Sequence, residues 1–159
     1  MRSSGRRLAK ILSVPFADSD DLVEQAAGCT VREIFERSGE AAFRAAEAAA
    51  VARALSEFDG VLALGGGALS AETTREAVRR SGVDVAYLRT TVETLAGRIG
   101  DGHTRPLLAA DPAARLAALA AEREPGYAEL ASITVDTDGR TAGQVAATVA
   151  ARLHDRGVA

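Results

Sequence analysis

Five short clusters of residues could carry chemistry. Asp18-Ser19-Asp20 follows the apolar run Val14-Pro15-Phe16-Ala17, and carboxylates at the C-terminal end of a strand lie where open parallel sheets bind their ligands. The same acids could serve only as the N-cap of the next helix, and Asp21 beside them is compatible with a solvated turn. Arg44 and Glu47 in Phe43-Arg44-Ala45-Ala46-Glu47 share a helical face at i, i+3 and read equally as a surface ion pair. Gly65-Gly66-Gly67 directly follows Gly60-Val61-Leu62-Ala63-Leu64, a continuous apolar run. A plain turn rarely needs three glycines, so close approach of a ligand to the backbone explains them better. Arg105-Pro106-Leu107-Leu108 would hold an arginine at a loop hinge or simply start a helix. Arg123 precedes Pro125 and Tyr127, where a helix is interrupted.

These clusters need elements to position them. The pattern predicts helices over Ser4–Leu12 and Asp20–Ala27, the second stopped by Gly28. Thr30 and Glu33 form a capping box for a helix through Arg37, and Gly39 separates that from an Ala-rich helix, Glu40–Ser56. Strands are predicted at 14–17, 60–64, 83–88 and 133–136. Further helices are predicted from Ser70, as N-cap, to Arg80, and at 92–99, 112–131 and 142–155. Alternation of strand and helix implies an α/β fold with a parallel sheet. Residues from Gly100 to about 112 lack apolar periodicity at their start and read as a lid.

Composition narrows the functional classes. The 159 residues carry a net charge of -3, and 47% are apolar, which suits one compact domain over 1–159. No apolar run reaches the roughly 18 residues a membrane span needs, and the basic start Met1–Lys10 leads into no signal-type stretch, so a cytoplasmic location with no membrane partner is expected. Slight acidity, four Phe and two Tyr argue against nucleic acid. Cys29 is the only cysteine and is expected to be core packing, while two histidines 51 positions apart make no metal motif. Lys10 is the only lysine among the basic residues.

In order and spacing the five clusters together resemble the shikimate kinase family, which shows a DxD, an FRxxE, a GGGA, an RPLL lid motif and an arginine before PxY. The resemblance runs from about Gly5 to Leu153. It implies a P-loop kinase-like three-layer fold with a helical lid, and ATP-dependent phosphorylation of the shikimate 3-hydroxyl on a monomeric enzyme. It further implies that Asp20 holds the acceptor hydroxyls and takes the proton, while Asp18 orients waters on Mg²⁺. Arg44 and Arg123 would grip the shikimate carboxylate, and Gly66, flanked by Gly65 and Gly67, would present backbone N–H groups. Arg105 would close onto the transferring phosphate, and Arg98 and Arg140 would lie beside the adenine.

The family's first, central strand and its GxxGxGK[ST] loop have no counterpart here, which leaves four strands with two inner edges facing a slot. Aligned without gaps, Met1 and Arg2 fall on the loop's lysine and hydroxyl residue; with one deletion, Arg2-Ser3-Ser4 stand there instead. The natural reading frame is therefore expected to start upstream of Met1, and the chain alone is expected to fold poorly. A remnant that binds shikimate without phosphorylating it is the alternative function, and a kinase for another small acceptor such as gluconate is a third.

Overall fold

The computed structural model describes residues 2–90 and 125–157. Helix α1 spans Arg2–Leu12 and keeps Arg6, Arg7 and Lys10 exposed while Ala9 is buried. Gly5 gives the ring of Phe16 its seat, because a Cβ there would lie 2.8 Å from that ring. Arg6 covers the ring, its guanidinium carbon 4.9 Å from the centroid, a cation–π contact.

Strand β1 (Phe16–Asp18) runs into helix α2 (Ser19–Ala27) without an intervening loop. Gly28 ends α2 in the left-handed region at φ 73°, as expected for a C-cap glycine. Helix α3 (Val31–Glu57) is capped by the Thr30 side chain, and Gly39 at φ 83° breaks it into the two predicted helices. Strand β2 (Val61–Ala63) pairs with β1 in parallel, Phe16 opposite Val61 and Asp18 opposite Ala63.

After β2 come the glycine turn, a 3₁₀ turn at Ala68–Ser70 and helix α4 (Glu72–Ser81). Ser70 does not cap α4 as expected. The 3₁₀ turn leaves it outside the helix, where its hydroxyl donates to the Gly67 carbonyl, and Ala71 occupies the cap position with no side-chain bond. Strand β3 (Ala86–Arg89) starts three residues later than predicted and pairs in parallel with β4 (Ile133–Asp136). Helix α5 (Ala142–Asp155) closes the fold behind a capping box made by Thr141 and Gln144.

The four described strands thus form two parallel pairs, β1–β2 and β3–β4, with no hydrogen-bonded pairing between β2 and β3. Helix α1 spans the two pairs, packing on β1, β2 and α5. Ile133, Val135, Val145, Val149 and Leu153 form the buried apolar cluster, with Leu8, Leu12 and Leu88 against it. Strand β2, expected to be buried, is half-buried at all three residues, since among the described residues only β1 pairs with it. Cys29 is half-buried as well, at the turn between α2 and α3, and not in the core.

The helix at 92–99, the lid at 100–112 and the start of the next helix lie outside the described residues. Residues 125–130 are helical, so Pro125 and Gly126, where an interruption was expected, carry helical backbone. Among the described residues no helix is long and apolar enough to cross a membrane.

Candidate functional site

The direct junction of β1 and α2 divides the two acids of Asp18-Ser19-Asp20 between different tasks. Asp18, 8% exposed, accepts from the Asp20 N–H at 2.8 Å and so caps α2, while its other oxygen faces Arg2 Nε at 3.1 Å. Arg2 also reaches Asp21, at 3.2 Å. Asp20, one residue into the helix, points elsewhere: a Cβ on Gly65 would lie 3.1 Å from its Oδ1. Between them the fully buried Ser19 accepts the Gly65 N–H on Oγ at 3.0 Å, so the DxD segment and the glycine turn are joined across 46 positions.

The Phe43–Glu47 turn of α3 completes the cluster. Glu47 is 2% exposed and takes Arg44 Nη1 on Oε1 at 2.8 Å, while its Oε2 lies 3.3 Å from where a Gly65 Cβ would be. The pair therefore joins a buried carboxylate to a half-buried guanidinium and is not a fully solvated one. The guanidinium of Arg44 rests against Gly67, whose Cβ, if present, would fall 2.4 Å from Nη2. Gly65 and Gly67 thus lack side chains because Asp20, Glu47 and Arg44 occupy the space.

Burial raises the carboxyl of Glu47 above the ordinary range, with Arg44 pulling the other way by hydrogen bond and charge. Asp20 is raised too, first by burial and then by the charge of Asp18, with Arg2 opposing. A carboxylate whose pKa is lifted toward neutrality is a better proton acceptor.

The glycine turn is held at four points. Gly65 donates to Ser19, its carbonyl accepts from Ala68 N at 3.1 Å, the Gly67 carbonyl accepts from Ser70, and the Tyr127 hydroxyl donates to the Gly66 carbonyl. Among the described residues the Gly66 and Gly67 N–H groups have no protein acceptor. Chemically, these two donors together with Arg44 suit a carboxylate, and Asp20 suits hydroxyls, the groups of a small anionic polyol.

The structure brings together Asp18, Asp20, Arg44, Gly65, Gly66 and Gly67. It does not bring Arg140 there; that residue is exposed between β4 and α5, with its charge acting on Asp136. Arg98, Arg105 and Arg123 lie outside the described residues. Sequence reasoning assigned no role to Ser19 or Tyr127, although both sit inside the quoted motifs. Their partners are 46 and 61 positions away, and spacing along the chain carries no sign of such contacts.

One Asp18 oxygen caps a helix and the other is paired with Arg2, so with Arg2 in place the residue does not fit a role on metal-bound water. No group of three or more His, Cys, Asp or Glu suitable for a metal occurs among the described residues. Arg140 alone of the described residues was expected at the nucleotide, and one exposed arginine makes no phosphate cradle.

The sequence profile described as shikimate kinase matches residues 2–154. The chain is 49% identical over 149 residues to a shikimate kinase of Salinispora tropica, covering 94% of this chain and 88% of that one. It is 47% identical over 156 residues to a shikimate kinase of Symbiobacterium thermophilum, covering 96% and 89%. Among solved structures, the shikimate kinase from Acinetobacter baumannii in complex with shikimate superposes with a TM-score of 0.83 at 33% identity, covering 98% of this chain and 87% of that one.

Proposed function

The chain belongs to the shikimate kinase family, and from that premise we propose that the cluster of Asp20, Arg44 and Gly65–Gly67 is the acceptor site and that the chain serves ATP-dependent phosphorylation of the shikimate 3-hydroxyl. The observation that carries this reading is the pair of N–H groups on Gly66 and Gly67 without an acceptor among the described residues, Gly67 lying against the Arg44 guanidinium. Arg44 would take the ligand carboxylate, held by Glu47 so that little side-chain freedom is lost on binding. Asp20 would hold the 3-hydroxyl and receive its proton, for which its raised pKa is suited. ATP supplies the phosphoryl group in this family, and transfer asks the protein for position and positive charge more than for covalent chemistry. Arg105, Arg98, Arg123 and Arg140 remain assigned to phosphate, adenine and carboxylate by resemblance. The chain would act as a monomer in the cytoplasm.

A second reading is favoured by one observation, the pairing of Arg2 with Asp18 and Asp21. A guanidinium there meets the charge a hydrated Mg²⁺ would otherwise answer, which suits a protein that binds shikimate without transferring phosphate. Titration of the purified chain with shikimate and with ATP, alongside ADP release, separates the two. Shikimate-dependent ADP release supports the kinase; saturable shikimate binding with no ADP release supports the binding protein. No shikimate binding at all would sink both.

A further inference from the structure

The Gly66 carbonyl is held by a side chain from a distant segment. The Tyr127 hydroxyl donates to it, and residues 125–130 are also held by the ring contact of Tyr127 with Tyr87, 5.0 Å between centroids, and by Glu129 on Arg79 at 2.7 Å. The ring contact alone would be satisfied by phenylalanine. The hydroxyl does something more specific, because a trans peptide points its C=O and the following N–H in opposite directions, and no cis peptide occurs among the described residues. Holding the Gly66 carbonyl toward Tyr127 therefore turns the Gly67 N–H to the opposite side. A peptide between two glycines has few steric limits of its own, so without that bond its plane would be free to rotate.

We infer that Tyr127 is a positioning residue: its hydroxyl fixes the Gly66–Gly67 peptide plane and so keeps the Gly67 N–H presented to the acceptor. The ligand half of this inference rests on the proposed acceptor site; the peptide half does not. A hydroxyl that only filled space would leave the backbone of the glycine turn unaffected by its removal.

The test is Tyr127→Phe in the 159-residue chain, with Glu129→Gln as the comparison that weakens a different tie of the same segment. Amide ¹H–¹⁵N resonances of Gly66 and Gly67 are recorded without ligand and during shikimate titration, with the melting temperature of each protein. In Tyr127→Phe the Gly67 resonance shifts or broadens without ligand and shikimate binds about threefold to tenfold more weakly, as for loss of one hydrogen bond, while the melting temperature changes little. Glu129→Gln leaves the resonance and the affinity in place. An unchanged Gly67 resonance in Tyr127→Phe, or the same change in Glu129→Gln, overturns the inference. Wild-type protein that shows no response to shikimate overturns the acceptor reading instead, and the ligand-free resonances still decide the peptide.

Discussion

The two strand pairs are built from opposite materials. Around β3–β4 and α5 the interior is apolar, with Ile133, Val135, Val145, Val149 and Leu153 buried together and polar residues such as Asp136 kept on the exposed face. Around β1–β2 the buried groups include Asp18, Ser19 and Glu47, with Arg44 and Asp20 partly covered beside them. Apolar burial gains free energy directly, whereas buried charge must be paired and hydrogen-bonded to be tolerated. The first half therefore supplies stability, and the second spends part of it to hold charged groups in fixed places.

Cutting into the apolar half should give the largest effect. Leu153→Ala removes a buried side chain from the cluster and is expected to lower unfolding free energy by about 2 to 5 kcal/mol, read as a shift in the urea midpoint. Shikimate affinity measured on the remaining folded protein should not change. A loss of affinity in that folded fraction would show that the halves are not separable.

The converse substitution is Gly67→Ala. Its methyl would displace the end of a flexible arginine and no backbone atom, so the fold should survive with a small change in melting temperature. Shikimate affinity should fall about tenfold or more as Arg44 leaves its place, since hydrogen bonds to charged groups contribute about 1.5 to 3 kcal/mol. Retained affinity measured by calorimetry would contradict the placement of Arg44 at the acceptor.

A smaller effect separates the halves by pH. Burial raises the folded pKa values of Asp20 and Glu47 above those of ordinary carboxylates. The folded protein thus binds protons that the unfolded chain does not, and stability from these groups rises as pH falls from neutral through their folded values toward the unfolded ones. Asp136 and Glu72 go the other way. Arginine partners hold both below their usual values, so their contribution is present above the unfolded pKa and is lost as pH falls through the folded one. Glu47→Gln should flatten the rise in melting temperature as pH falls from neutral toward the ordinary carboxylate range; an unchanged slope would show that Glu47 is not the group responsible.

Local signals in the sequence were readable because their physics is local. Thr30, Gly28 and Gly39 each act within a few residues, and the helices they bound stand where the pattern placed them, although the box expected of Thr30 and Glu33 is half made, the Glu33 N–H donating to Thr30 Oγ while the Glu33 carboxylate faces Arg37. Ser70 misled for the same reason: a cap residue next to a tight glycine turn is captured by the turn. At Asp18-Ser19-Asp20 the cap reading holds for Asp18, while Asp20 faces the glycine turn instead of capping the helix. What could not be read was the long-range bonding. Ser19 to Gly65, Tyr127 to Gly66 and Arg2 to Asp18 depend on which strand lies beside which, and an isolated motif does not encode its neighbour.

The central claim is that the polar half is an acceptor site organised around Arg44, and calorimetric titration of shikimate into the wild-type chain and Arg44→Lys tests it most directly. Lysine keeps a charge for Glu47 but lacks the planar fork that matches a carboxylate. Saturable one-to-one binding to the wild type, weakened about tenfold or more in Arg44→Lys, is the expected result. Equal affinity in the two proteins, or no binding to the wild type, would contradict it.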